Sequence, residues 1–310
     1  MYLGAHIGIA EGLANAPGTG RRIGCEVIQI FSKSPQMWGA PPIAEDAARA
    51  FRAAVEREGL KATAVHHGYL TNLASPKKPG LARSRKAFQD ELARAELIGV
   101  DALILHPGAH LGEGAEAGIE RIAEGVNLAF RETPGFHVRV LFENAAGQGS
   151  TIGRSFGELG RLLEGIEDRS RVGVTLDTCH LFASGLDFRT EETYGSLVDA
   201  LDSEIGLAEV RAFHLNDAKA PLGSHLDRHE NIGRGEIGVD GFRRFLEDPR
   251  WATTPAYLET PLGEDDYKAY ERDLATLRSL VSRTPAPRRP RRSGSRTGRR
   301  RAPRPTEGPA

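Results

Sequence analysis

Cysteine is scarce in this chain: Cys25 and Cys179 are its only two thiols in 310 residues. Two thiols make neither a disulfide framework nor a Cys-rich structural zinc site. Any bound metal must therefore be held by imidazole and carboxylate, a donor set that suits zinc, manganese or iron. Long apolar runs are absent as well. None reaches the roughly 18 residues of a membrane span, so no membrane association is expected. The opening residues, MYLGAHIGIAEGL, lack the basic start and apolar stretch of a secretory signal. A cytoplasmic protein is the expectation. No internal repeat is visible.

Net charge is close to zero, at −1, but it is unevenly spread. Residues 285–310 hold nine arginines against one acid, Glu307, so this segment carries +8 and the remainder −9. Its Pro/Arg/Ser/Gly composition cannot bury apolar surface, which predicts a disordered tail after a domain ending near residue 284. Such a tail is either a solvated appendage or a source of non-specific affinity for phosphate backbones.

What the chain does have is alternation. Short aliphatic runs at 2–6, 26–31, 61–66, 101–106, 138–143, 172–177, 210–215 and 256–259 read as strands. Between them lie helical patterns at 44–59, 84–99, 119–133, 156–166, 190–206, 239–246 and 265–281. Gly59 and Gly99 follow the first two as stop signals, and Ser84 stands as a possible N-cap. Eight strands alternating with helices predict an α/β fold, a (β/α)8 TIM barrel, over an open doubly wound sheet.

The strands end in a consistent way. Their closing residues are His6, His66, His106, Glu143, Asp177, His214 and Glu259, with His180, Asp227 and His229 just beyond strand ends. In a barrel of parallel strands these ends converge on one face, where active sites are built. Each element has a plainer reading. His106 in HPG could be a hydrogen-bonded core histidine before a turn. DTCH (177–180) could be a helix cap and a surface histidine. DRH (227–229) could be a solvated charge run, and HLND (214–217) a strand ending in polar residues. Glu143 and Glu259 close apolar strands, where a buried carboxylate must be paired or metal-bound. The joint pattern favours metal chemistry. So many donors exceed one ion's need of about four and suit a cluster with bridging carboxylates, able to activate water and clamp a phosphate ester. GRGEIG (233–238) fits a dinucleotide fingerprint in letters only, because polar DRHEN precedes it in place of a strand.

The segments GAHIGIAEGL (4–13), HHGYLTNL (66–73), HPGAH (106–110), FENAAGQG (142–149), SRVGVTLDTCH (170–180), HLNDAK (214–219), DRHENIG (227–233) and LETP (258–261) occur in this order. Together they resemble endonuclease IV, the deoxyribonuclease IV family of apurinic/apyrimidinic endonucleases, over residues 1 to about 280. The resemblance implies a TIM barrel with three zinc ions, in part replaceable by manganese. His66, His106 and Glu143 would hold the first. Glu143, as a bridging carboxylate, would hold the second with Asp177, His214 and Glu259. His180, Asp227 and His229 would hold the third. His67 remains the alternate to His66, while His6 and His110 match motif positions that are not ligands.

The implied reaction is hydrolysis of the phosphodiester 5′ to an abasic site in duplex DNA, leaving a 3′-hydroxyl and a 5′-deoxyribose phosphate. Removal of blocking groups from damaged 3′ ends is implied too. The metal cluster would be the catalyst, through a bridging hydroxide, and the sequence offers no convincing side-chain nucleophile. Tyr69 and Leu70 match positions that wedge into the duplex. Gln36 stands where the best-studied pattern has arginine, which predicts weaker contact at the lesion or compensation from the Arg-rich tail. A monomer is expected. The alternative on the same barrel is a metal-dependent sugar isomerase or epimerase, which needs fewer ligands and has no use for Asp227 and His229 or for YLTNL.

Overall fold

A computed structural model of the chain describes residues 1–264, 267–281 and 308. The tail beyond 284, apart from Gly308, and the boundary expected before it lie outside the described residues.

Strand β1 (Tyr2–His6) is followed by helix α1 (Ala16–Arg22), β2 (Val27–Phe31), α2 (Glu45–Glu58), β3 (Ala62–His66), α3 (Lys78–Ile98) and β4 (Ala102–Leu105). Then come α4 (Ala115–Glu132), β5 (Arg139–Glu143), α5 (Phe156–Glu164), β6 (Val172–Asp177), α6 (Thr178–Ala183), α7 (Glu191–Glu204) and β7 (Val210–His214). A short pair, β8 (Asp217–Ala218) and β9 (His229–Glu230), precedes α8 (Gly238–Glu247), β10 (Pro255–Leu258) and α9 (Lys268–Leu280). Strands β1–β7 and β10 are all parallel and close into an eight-stranded barrel, with β1 joined to both β2 and β10.

The barrel forms because its strands are apolar on both faces. VIQIF of β2 and ALIL of β4 are buried almost throughout, the pattern of a parallel sheet covered on each side. Val27, Ala64, Ala102, Ile104, Leu141, Ala212 and Tyr257 fill the inside. The opposite strand faces pack on the helices. In α4, Ile119, Ile122, Val126 and Phe130 are buried at helical spacing. Helices α2 and α3 stop at Gly59 and Gly99, both in the left-handed region at φ 65° and 72°, as their positions predicted.

The expected boundaries differ at several places. His106 and Glu259 each lie one residue past their strands. Helix α3 starts at Lys78, not Ser84, because Pro79 suits the first turn; Ser84 is buried within it, and its Oγ accepts from the Asn72 amide at 3.0 Å. Helix α4 starts at Ala115. The last helix starts at Lys268, and residues 265–266 are outside the described ones. Helices α1 and α6, of seven and six residues, are too short for a periodic signal.

DRHEN, expected as loop, contributes β9, which pairs antiparallel with β8. The glycine-rich segment after it wraps around a carboxylate of the chain itself. The amides of Gly233 and Gly235 donate to Asp217 Oδ2 at 2.9 and 3.1 Å, and those of Ala218 and Ile237 donate to Oδ1 at 2.9 and 3.0 Å. A Cβ on Gly235 would stand 2.6 Å from Asp217 Oδ1 and 2.4 Å from the Ala218 carbonyl oxygen, so only glycine fits. These amides are spent on Asp217, which anchors the hairpin carrying His229.

Candidate metal centre

The barrel carries its donors to the C-terminal ends of the strands. His66, Glu143, Asp177 and His214 close β3, β5, β6 and β7. His180 projects from the first turn of α6. That turn is capped by Asp177, whose Oδ1 accepts from the His180 amide at 2.8 Å. The cap reading of DTCH therefore holds for Asp177, but His180 is buried, not on the surface.

Three groups of donors meet, each with its ligand atoms within 4.8 Å of one another: His66, His106 and Glu143; Glu143, Asp177, His214 and Glu259; and His180, Asp227 and His229. Glu143 is fully buried at the junction. Its Oε2 lies 3.2 Å from His66 Nε2 and 3.7 Å from His106 Nε2, and its Oε1 lies 2.8 Å from His214 Nδ1 and 3.4 Å from His180 Nδ1. Asp227 Oδ1 stands 3.1 Å from His180 Nε2 and 3.3 Å from His229 Nε2. Asp177, Cys179 and His229 form a further group. There, burial first, with the charge of Asp177, pushes the Cys179 thiol upward, and the thiol donates to the Arg228 carbonyl at 3.6 Å.

The hydrogen bonds of the second ring nitrogens test whether these residues fit a metal. Nδ1 of His66, His180 and His229 lies against the carbonyl oxygens of His67, Asn144 and Glu259, at 2.8, 2.9 and 3.1 Å. A carbonyl only accepts, so each Nδ1 carries a proton, and Nε2 is the nitrogen that can offer a lone pair inward to a metal. Nε2 of His180 and of His229 is buried and faces only Asp227 Oδ1, at 3.1 and 3.3 Å, outside good hydrogen-bond geometry. A buried, unpaired acceptor among carboxylates is costly, and a cation removes the cost. The donor set fits divalent metal.

The charges agree. Burial opposes ionisation of Glu143, but His214 and His106 outweigh it and hold the carboxyl well below its usual range. Burial likewise opposes charge on His214, yet Glu259 and Glu143 raise it to about 9. His229 rises to about 9 against burial through Asp177 and Asp227. Without metal, the carboxylates recruit protons in its place.

His67 turns away from the cluster, as alternation along a strand requires. Its ring stacks 6.1 Å from Phe88 of α3, and among the described residues it joins no donor group. His6 meets the cluster from behind, with Nδ1 3.6 Å from Glu259 Oε1. His110 Nδ1 accepts from the Gly114 amide at 3.0 Å, ahead of α4.

Three supporting residues escaped the sequence reading. Asn144 accepts from the Asp177 amide at 2.6 Å. Asn216 donates to Asp177 Oδ2 at 2.7 Å and accepts from the Glu259 amide at 2.8 Å. Both asparagines sit beside donors in FEN and HLN, which was a usable signal. Gln29, inside β2, touches Glu259 and His214; its one signal was an amide within an apolar strand.

Exposed apolar side chains stand among polar ones on the loops of this face. Of seven exposed large apolar residues among the described ones, Met37, Tyr69, Leu70, Leu111, Leu222 and Leu226 lie in loops following barrel strands. Gln36 is exposed, next to Pro35, whose carbonyl accepts from the Tyr69 amide at 3.1 Å. Tyr69 is 62% exposed, with its ring edge-on to Phe31. A cavity of about 390 Å³ opens between His67, Tyr69, Asn72, His106, Ala145 and Asp227. Apolar residues exposed on one face mark an interaction surface. No helix among the described residues is long and apolar enough to cross a membrane.

The sequence model of the family described as xylose isomerase-like TIM barrel matches residues 20–280. A protein of Chlorobium phaeobacteroides named probable endonuclease 4 is 46% identical over 282 residues, covering 90% of this chain and 97% of its own length. The crystal structure of endonuclease IV from Thermus thermophilus superposes with a TM-score of 0.78 at 33% identity, covering 90% of this chain and 98% of that one. A 3-keto-D-glucoside 4-epimerase of E. coli has a TM-score of 0.65 over 90% of this chain and 99% of its own, but only 16% identity, a likeness of fold alone.

Proposed function

This chain belongs to the endonuclease 4 family, and from that premise we propose that it is a metal-dependent DNA-repair endonuclease acting 5′ to abasic sites in duplex DNA. The observation that carries the reading is the convergence of three donor groups on Glu143 beneath an apolar rim. The third group, His180 with Asp227 and His229, is what a sugar epimerase on this barrel would not need, and the epimerase likeness is distant.

In this reading His66, His106 and Glu143 hold one zinc ion. Glu143, Asp177, His214 and Glu259 hold a second, and His180, Asp227 and His229 a third. Bound metal would supply Lewis-acid charge for the phosphate oxygens and for activating water. The protein's part is to orient. Backbone carbonyls fix the rings of His66, His180 and His229, and the amide of Asn216 holds Asp177, so the donors need little rearrangement. Tyr69 and Leu70 enter the duplex as an apolar wedge. The cavity beside His106 and Asp227 takes the nucleotide displaced from the stack. The products are a 3′-hydroxyl and a 5′-deoxyribose phosphate, and blocked 3′ ends are further substrates. The protein acts as a monomer, a barrel to about residue 284 followed by a basic tail.

The test is incision of a duplex with one tetrahydrofuran abasic analogue, beside an undamaged duplex, with product ends mapped and metals counted. The analogue cannot undergo β-elimination, so a cut on its 5′ side leaving a 3′-hydroxyl is hydrolysis. No incision by fully metallated protein would overturn the reading and direct the search to sugar substrates.

Two further outcomes follow. The double substitution Tyr69→Ala and Leu70→Ala removes the wedge and replaces none of the proposed ligands, although the Tyr69 ring lies 6.1 Å from that of His66. It should raise KM for the lesion duplex about tenfold or more, since a base stacked on an aromatic ring is worth ~1–3 kcal/mol, with metal content unchanged. Unaltered KM would exclude the wedge. Deleting residues 285–310 should flatten the dependence of log affinity on log salt by about 0.9 for each phosphate that the tail neutralises. Equal slopes for full-length and shortened protein would show that the tail does not offset the neutral Gln36.

A further inference from the structure

We propose that Gln29 is a positioning residue of the metal centre: its side-chain amide decides which ring nitrogen of His214 faces the donors and holds one oxygen of Glu259 in place. The inference rests on the metal-centre reading above, but on observations of its own.

Gln29 lies in the middle of β2, fully buried, between Ile28 and Ile30. An amide at such a site is costly unless its hydrogen bonds are made, and here they are. Nε2 lies 2.6 Å from Glu259 Oε1 and 2.9 Å from His6 Nδ1, and Oε1 lies 2.8 Å from His214 Nε2. These partners orient the group. The carboxylate of Glu259 can only accept, so the NH2 end must face it, and the carbonyl end then faces His214. A carbonyl only accepts, so His214 carries its proton on Nε2. Nδ1 is therefore the nitrogen left to present a lone pair to a metal, and it points at the cluster, 2.8 Å from Glu143 Oε1, 3.6 Å from Glu259 Oε2 and 3.9 Å from Asp177 Oδ2.

His214 differs here from His66, His180 and His229. Their second nitrogens are fixed by backbone carbonyls, which no substitution removes. His214 alone of these four depends on a side chain. Without Gln29, the proton of His214 can move to Nδ1, where it blocks ligation, and Glu259 loses a donor that restrains its carboxylate. Partners of this kind typically matter 10–100-fold in metal affinity.

The experiment uses the full chain with Gln29→Met, which keeps length and removes both hydrogen bonds, and Gln29→Asn, which keeps the amide but falls short of both partners. Metal content is followed by mass spectrometry during competition with a chelator. The ring proton of His214 is located by long-range nitrogen–proton NMR, and unfolding of the stripped proteins is measured alongside. The expected result is a roughly 10–100-fold loss of metal affinity in both variants, with the Nε2–H signal of His214 lost or moved. Variants that bind metal like wild type, or that only unfold earlier when stripped, would reduce Gln29 to a packing role and overturn the proposal. Should Gln29→Met fail to fold, Gln29→Asn decides alone. A wild-type chain that binds no metal would instead overturn the metal-centre reading, so the two failures are distinguishable.

Discussion

Replacing Glu143 by glutamine is expected to lower strand incision by at least about a thousandfold, or roughly 4 kcal/mol of barrier. Glu143 is the one residue shared between two of the three groups proposed to hold metal. It is fully buried, and four imidazoles approach it: His66, His106, His180 and His214. The substitution keeps size and shape but makes two errors. It removes the negative charge that two proposed ions share, and it turns an NH2 group toward a site built to present acceptors. Metal content should fall in step with activity, while circular dichroism stays that of a folded barrel. A Glu143→Gln protein that is fully loaded and active would exclude the bridging role.

Removing metal from the wild-type chain should have the second large effect: incision is abolished, and the protein melts at a lower temperature. A ligand present at a hundred times its dissociation constant adds about 2.7 kcal/mol per site to the folded state. Each kcal/mol moves the midpoint by roughly 2–4 °C in a large domain. Chelation is therefore expected to cost several degrees. Zinc should restore both the midpoint and activity, because Nε2 of His180 and of His229 faces only a carboxylate in poor hydrogen-bond geometry, an arrangement a cation satisfies. The stripped barrel should still fold. Its core is independent of the site, and the carboxylates hold protons on His214 and His229. A melting curve indifferent to chelator and zinc would mean that these donors bind no metal.

The two effects depend on residues that differ in how far the sequence revealed them. Glu143 and His66 were legible because a strand of apolar residues that ends in a charged or titratable group is a local pattern, repeated here at strand after strand. The choice between His66 and His67 was not local. Both are histidines in one segment, and only the barrel shows one turned to the cluster and the other against Phe88. Asp217 and the GRGEIG segment were misleading as letters. Their meaning lies in amides of Gly233, Gly235 and Ile237 folding back on a carboxylate 16, 18 and 20 positions earlier.

By itself the sequence determined the barrel and the titratable residues at its strand ends, because period, strand ends and residue type are properties of short stretches. Only the tertiary structure decided which nitrogen of each ring faces inward, which buried atoms lack a partner and what Gln29 does. Those depend on distances between residues such as Gln29, His214 and Glu259, 185 and 230 positions apart in the chain. Closing the barrel sets those distances, and no local pattern encodes them.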